Sequence, residues 1–169
     1  MQALNNMIKS WKKTEEGEYS FSMDNNDMGT MKISYNSLER EAKCRIQGEE
    51  FTIRRTGFWK STIEIYNEGG KSIAKIYPEK WYASSWTFDY QDKVYKIKVR
   101  NNPLAEYVIQ DNSKDLAAYG LTTENEKFSV RISTLSQNSD LLFDFILWYL
   151  FVPIATENMG DDFFIFNVA

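Results

Sequence analysis

Histidine is absent from this 169-residue chain, and cysteine occurs once, as Cys44. Without histidine the chain cannot form a Ser-His-Asp triad, an imidazole general base or a histidine-ligated zinc or haem site. A lone cysteine excludes an internal disulfide, a thiolate metal cluster and a CxxC redox pair. Carboxylate chemistry, lysine chemistry and a Mg²⁺ or Ca²⁺ ion held by carboxylates remain as catalytic options.

Positive charge is also in short supply. The chain has 20 Lys and Arg against 24 Asp and Glu, a net charge of −4. Because binding to phosphate backbones needs a surplus of cations, we expect no nucleic-acid partner. The first residues, MQALNNMIKSWKK, lack the apolar core of an export signal. We therefore expect a cytoplasmic protein, peripheral at a membrane if it binds lipid.

Aromatic residues, in contrast, are abundant: 11 Phe, 10 Tyr and 5 Trp make up 15% of the chain. From 30 to 133 apolar and polar residues alternate in short runs separated by turn residues, which predicts an antiparallel β-barrel or sandwich. The predicted strands are 30–35, 42–47, 50–55, 59–66, 72–77, 84–90, 93–100, 106–110, 115–121 and 127–133. Residues 163–168 offer a further strand that would close the sheet.

The run LLFDFILWYLFV at 141–152 predicts a helix capped by Asp140, which Pro153 should end or kink. A helix that is apolar on all sides must be surrounded by protein or by lipid. The run is shorter than the ~20 residues that cross a bilayer, and Asp144 opposes insertion. We therefore predict a closed antiparallel barrel of about ten to twelve strands around this helix. A carboxylate in such a place needs a partner, and the sequence leaves the role of Asp144 open.

The N-terminal segment has a different pattern. Leu4, Met7, Ile8 and Trp11 have the spacing of one helix face, so we predict a short helix outside the barrel. Residues 14–29 are acidic and rich in Asn, which predicts a loop. The expected organisation is thus a helix and loop over 1–29, followed by one barrel domain over 30–169 with its buried helix at about 140–152.

The order of these elements resembles the tubby C-terminal-like superfamily, which includes LURP-one-related proteins and phospholipid scramblases. The resemblance covers about 31–155. It implies a roughly twelve-stranded barrel around a hydrophobic helix, and functions such as phosphoinositide binding or lipid scrambling. It extends to no residue-by-residue match with the family's phosphoinositide site. The stretches that carry it are FTIRRTGFWKSTIEIYNEGGKSIAKIY, WTFDYQDKVYKIKV, FSVRIS and LLFDFILWYLFV.

Basic residues concentrate in the middle of the chain. Residues 43–100 hold twelve Lys and Arg against seven Asp and Glu, a surplus of five. Such a surplus on one surface would attract the headgroups of anionic membrane lipids. The alternative is an ordinary solvated strand face. The candidate headgroup-binding residues are Arg54, Lys75, Lys96, Lys98 and Arg100.

Two alternatives to a non-catalytic lipid-binding module follow from the sequence. Residues 39–43 read ExExK, the opening signature of the triphosphate tunnel metalloenzymes, in which Glu39 and Glu41 would hold Mg²⁺ inside the barrel. The second alternative is a carrier of an apolar small molecule, which requires an empty lumen with the helix outside. The non-catalytic module is the preferred hypothesis; it needs no cofactor, and no protein partner can be named.

Overall fold

The computed structural model describes residues 7–36, 39–57, 59–80, 84–101, 104–136, 140–160 and 164–167. These residues form thirteen β-strands and one α-helix. In chain order the elements are β1 (Lys9–Glu15), β2 (Glu18–Met23), β3 (Asn26–Asn36), β4 (Glu39–Ile46), β5 (Glu49–Thr56), β6 (Thr62–Asn67), β7 (Ser72–Pro78), β8 (Ser85–Tyr90), β9 (Lys93–Asn101), β10 (Ala105–Asp111), β11 (Lys114–Glu124), β12 (Lys127–Thr134), α1 (Leu141–Met159) and β13 (Phe164–Asn167).

The strands close into one barrel. From β1 to β12 each strand pairs antiparallel with its neighbours in sequence. β13 lies between β12 and β1, parallel to the former and antiparallel to the latter. The ten strands predicted between 30 and 133 are all present, although several of their ends shift by three or four residues. The closing strand predicted at 163–168 is present as β13.

The alternation of side chains follows the prediction as well. In β9, Ile97 is fully buried whereas Lys96 is exposed on the outer face. In β12, Val130 and Ile132 point inward. A strand with one wet and one dry face is the usual arrangement in an antiparallel sheet, and in these two strands the dry face points into the barrel.

Helix α1 fills the barrel. Rings on opposite sides of the barrel pack against it: Trp11 of β1 lies 4.9 Å from Phe145, and Phe88 of β8 lies 5.7 Å from Phe143, between ring centroids. By length and composition alone α1 could cross a membrane, but 61% of its most apolar window is buried inside the protein. The predicted buried helix is confirmed. Its buried residues are Leu142, Phe143, Asp144, Phe145, Ile146, Leu147, Trp148, Tyr149, Phe151, Val152 and Ala155.

The two ends of α1 differ in how well the sequence predicted them. The Asp140 side chain accepts a hydrogen bond from the backbone N–H of Leu142 at 2.9 Å, as expected of an N-cap. The expected end at Pro153 is wrong, because α1 continues to Met159 and stops at Gly160, where φ is 74°. Ala155 beyond the proline is still buried, and its packing holds the last turn in place.

The predicted N-terminal helix and the acidic loop over 14–29 are wrong. The barrel begins at β1, and β2 and the first residues of β3 occupy the predicted loop; Leu4 lies outside the described residues. The inward-facing residues of β1 are Lys9 and Trp11, so a buried lysine interrupted the apolar alternation. In β2, Tyr19 and Phe21 alternate with polar residues, which was a readable strand signal.

A buried polar cluster explains Asp144. Lys9 of β1 donates to the Asp144 carboxylate at 2.8 Å, and both side chains are about 1% exposed. The Tyr119 hydroxyl of β11 donates to the other carboxylate oxygen at 3.0 Å and accepts from the Trp11 indole N–H at 2.8 Å. Burial raises the pKa of Asp144, and Lys9 and Tyr119 oppose that rise. Burial and the Asp144 charge both raise the pKa of Tyr119, so its hydroxyl stays a donor.

This cluster predicts strong coupling between Lys9 and Asp144. Lys9→Met or Asp144→Asn alone should each lower the free energy of unfolding by about 3–5 kcal/mol, because one charge stays buried without its partner. The double variant should lose at least about 2 kcal/mol less than the sum of the two. Urea unfolding measures all three. Arg45→Gln with Glu50→Gln, which breaks an exposed ion pair, is the control and should cost under about 1 kcal/mol. Additive losses at Lys9 and Asp144 would contradict the coupling.

Cys44 offers a second check on the packing. It faces the core from β4, and burial raises the pKa of its thiol. Since the thiolate is the reactive form, Ellman's reagent at pH 8 should react with the native protein at least about 100-fold more slowly than with the protein in urea. Raising the pH to 9 should leave the native rate low. A native rate equal to the unfolded rate would mean that Cys44 is accessible.

Candidate anion-binding site

The structure places the predicted basic residues of β9 as expected but gives them acidic neighbours. Lys96, Lys98 and Arg100 share the outer face of the strand. Lys96 pairs with Glu79 at 3.1 Å. Arg100 pairs with Glu106 at 2.7 Å and Asp115 at 3.0 Å. Two of the three cations are therefore partly neutralised within the barrel wall.

Arg54 and Lys75 do not join this group. They lie on β5 and β7, and the pairing register gives a row of residues that alternates in sign across five strands. The order across the outer face is Glu41, Arg54, Glu64, Lys75, Asp89. Each cation sits between two carboxylates, an arrangement that stabilises the sheet and leaves no net positive field. The five predicted residues thus form no single cationic surface.

The described residues do not show the geometry that the metalloenzyme alternative requires. In β4, Ala42 and Cys44 point into the barrel, which puts Glu41 and Lys43 on its outer face. The side chain of Glu39 is outside the described part of the structure. The lumen that would hold the metal and its substrate is filled by α1, and the described residues include no cluster of three or more potential metal ligands. The filled lumen also removes the empty space that the carrier alternative requires.

Two arginines point inward instead, at the end of the barrel where α1 emerges. Arg40 has the same parity in β4 as Ala42, and Arg55 the same parity in β5 as Ile53. The last paired residues of β4 and β5 at this end are Glu41 and Arg54, and Arg40 and Arg55 each lie one residue beyond them. Both line a cavity of about 220 Å³, here called the mouth pocket. Its lining residues are Arg40, Arg55, Ser61, Ile63, Ile76, Trp86, Tyr107, Leu150, Pro153 and Ile154.

Contacts with the helix and the next loop hold the two guanidinium groups. The Arg40 guanidinium carbon lies 4.2 Å from the ring centroid of Tyr149 on α1, and the Tyr149 hydroxyl donates to the backbone carbonyl of Arg40 at 2.7 Å. Arg55 donates to the backbone carbonyl of Lys60 at 3.4 Å. The Nε of Arg40 is buried and has no hydrogen-bond partner within the described part of the chain.

The mouth pocket is positively charged. None of its ten described lining residues is Asp or Glu. The positive charge also affects Tyr107. Burial raises the pKa of its hydroxyl, and the charges of Arg40 and Arg55 partly offset the rise. Guanidinium groups bind carboxylate and phosphate oxygens through paired hydrogen bonds, so an oxyanion is the ligand that this pocket suits.

A second, larger cavity lies elsewhere and carries charges of both signs. It is an open depression of about 850 Å³ near the start of α1. Its lining includes three acids and two lysines, so the charges offset one another. One of those lysines, Lys93, also pairs with Asp111. The charged lining residues are Glu49, Asp89, Asp92, Lys71 and Lys93.

The sequence prediction missed the arginine pair because Arg40 precedes the predicted strand at 42–47 and is an unspecified position of the ExExK pattern. A signal was available: Arg40 and Arg55 continue the inward-facing alternation of two successive strands. A charged residue at the last inward position of a strand falls at the rim, where the lumen meets solvent. Counting parity to the ends of both strands would have singled out the pair.

Because Arg40 and Arg55 line one small pocket, we expect a salt-dependent repulsion between their charges. Arg55→Gln removes the repulsion and should raise the free energy of unfolding by about 0.2–1 kcal/mol at low salt. The gain should shrink in 1 M NaCl, where screening already weakens the repulsion. Urea unfolding at both salt concentrations measures this. Arg45→Gln, which removes an attraction to Glu50, should show no gain. A loss of stability in Arg55→Gln that salt does not change would contradict the repulsion.

Comparison with known proteins leaves the site to be interpreted from its own geometry. No protein-family model, curated protein or solved structure matches this chain. The barrel around an apolar helix is the architecture that the tubby-like resemblance implied, but architecture alone does not assign an activity. The roles given to Arg40 and Arg55 therefore rest on position, burial and charge.

Proposed function

We propose that this protein is a non-catalytic module of the tubby-like class that binds the headgroups of anionic phospholipids. The contact is the rim of the mouth pocket rather than the outer face of β9. The observation that carries the proposal is the pair Arg40 and Arg55, two inward cations that line one pocket with no carboxylate among its described residues. Membrane lipid supplies the missing negative charge.

Exposed aromatic residues flank this pair and support the same end of the barrel as the contact. Tyr35 of β3 is the cross-strand neighbour of Arg40 and is 66% exposed. Trp59, in the loop that follows β5, is 83% exposed. Tyr and Trp favour the membrane–water interface, where the ring meets acyl chains and the polar atom stays hydrated. The rim thus combines cations for headgroups with rings for the interface.

The overall charge fits local rather than general attraction. With a net charge of −4, the whole protein is repelled by an anionic surface, so binding depends on presenting the right end. On the outer wall Lys96 and Arg100 already have carboxylate partners, and releasing them would cost those ion pairs. Arg40 and Arg55 have no such pairs to break among the described pocket residues.

The proposal predicts charge-dependent binding to vesicles. In sedimentation assays the protein should bind vesicles of phosphatidylcholine with phosphatidylserine, or with phosphatidylinositol bisphosphate, and not vesicles of phosphatidylcholine alone. Arg40→Gln with Arg55→Gln should weaken partitioning about 30-fold, since each cation near the surface contributes about 1 kcal/mol. Raising the salt from 0.1 to 0.5 M should weaken the wild type more than the double variant.

The matched control removes two positive charges from the outer face of β9 instead of from the rim. Lys96→Gln with Arg100→Gln should leave partitioning within about twofold of the wild type, and circular dichroism should confirm that each variant is folded. Equal binding to neutral and anionic vesicles would contradict the proposal. A large loss in the strand-face variant, with none in the rim variant, would place the contact on β9 instead.

A further inference from the structure

We infer that the mouth pocket is a selective site for one small amphiphilic anion, a phosphate monoester or carboxylate joined to an aromatic or aliphatic group. The inference rests on the proposed function only in using the same two arginines. It goes further in requiring a ligand that enters the pocket, whether it arrives free in solution or as the end of a lipid.

The arginine pair supplies the polar half of the site. Arg40 and Arg55 lie one residue beyond the paired Glu41 and Arg54 on neighbouring strands, and both line the same pocket. Two guanidinium groups so placed can converge on one oxyanion, and each offers a planar fork of donors. The anion would relieve the repulsion between Arg40 and Arg55 in addition to forming its own hydrogen bonds. A neutral ligand would not reduce this repulsion.

The remaining lining residues supply an apolar half. Seven of them are aliphatic or aromatic side chains from the barrel wall and from the second half of α1. The Trp86 and Tyr107 rings lie stacked, with centroids 6.3 Å apart and planes 18° apart. An aromatic or aliphatic group of a ligand can pack against this apolar lining. The seven residues are Ile63, Ile76, Leu150, Pro153, Ile154, Trp86 and Tyr107.

Tyr107 connects the two halves. It lines the pocket, and both arginines act on its hydroxyl. Burial raises the pKa of this hydroxyl above its usual value even against those two charges, so it stays protonated at neutral pH. A protonated phenol donates a hydrogen bond, and an oxyanion next to the arginines is a suitable acceptor.

The size of the pocket restricts the ligand further. A volume of about 220 Å³ is below the ~300–1,000 Å³ of sites that enclose drug-sized molecules. A phosphate or carboxylate with one ring or a short chain fits this space. A nucleotide or an inositol bearing several phosphates is larger and would leave part of its atoms outside.

The test uses phenyl phosphate as the probe of the whole site and inorganic phosphate as the probe of its polar half. Calorimetric titration of the wild type at low salt should give a phenyl phosphate affinity at least tenfold higher than that for inorganic phosphate. Arg55→Gln should lower the phenyl phosphate affinity at least tenfold. Arg55→Lys, which keeps the charge but loses the fork, should also lower it. Tyr107→Phe should lower it severalfold.

Arg45→Gln is the matched control, because Arg45 lies on the outer face of β4 and outside the pocket. It should bind phenyl phosphate as the wild type does. Equal affinities for phenyl phosphate and inorganic phosphate would overturn the apolar half of the site. Equal losses in Arg45→Gln and Arg55→Gln would overturn the pocket as the location.

Vesicles separate this inference from the proposed function and identify the source of the anion. Phenyl phosphate should compete with vesicles of phosphatidylcholine and phosphatidic acid for the wild type. If vesicles bind through Arg40 and Arg55 but phenyl phosphate does not bind, the inference fails and the proposed function stands. If phenyl phosphate binds as expected and no anionic vesicle does, the proposed function fails, and the ligand is a free molecule.

Discussion

The buried ion pair between Lys9 and Asp144 fixes how the barrel and its helix fit together. Helix α1 is apolar on every side, so hydrophobic burial drives it into the lumen but favours no rotation or depth. The carboxylate of Asp144 has one acceptable position, where the ammonium of Lys9 and the hydroxyl of Tyr119 meet it. Since a misplaced helix would leave both charges buried and unpaired, a large free-energy gap separates the native register from its neighbours. The same contact joins the first strand to the helix.

A filled lumen decides where recognition can occur. Barrels that act as enzymes or carriers use the interior, but here α1 occupies it and the described inward side chains pack against one another. The outer wall carries residues of alternating charge on neighbouring strands, such as Arg54 between Glu41 and Glu64. What remains are the rims, where inward-facing side chains meet both the helix and solvent. Arg40 and Arg55 occupy such positions and line one pocket without a carboxylate among its described residues, which favours binding over stability.

The parts of the fold that the sequence predicted are those set by local periodicity. The strands from β3 to β12 and the helix follow from alternation and from a run without a polar face. The prediction missed β1 because Lys9 breaks the apolar pattern, and its partner lies 135 residues away, where no local rule can find it. In β2 the alternation of Tyr19 and Phe21 with polar residues was present but was overridden by the acidic, Asn-rich composition. The predicted helix end at Pro153 was wrong for a related reason: α1 continues beyond the proline and buries Ala155, so tertiary packing overrides the local preference of proline to end a helix. The predicted headgroup residues were found on the correct faces, yet their acidic partners come from other strands and depend on register.

The order of the strands around the barrel has a consequence for synthesis on the ribosome. Within the barrel β1 is the first strand in chain order and β13 the last, and they are neighbours in the finished sheet. Until β13 leaves the exit tunnel, β1 and β12 both have unpaired edges, and for most of that time the nascent meander lacks the helix that fills it. All of the barrel strands must therefore be made before the domain can reach its folded state, and exposed edges of this kind invite aggregation in the interval. The protein is thus expected to depend on chaperones while it is translated, more than a domain of similar size built from successive local units.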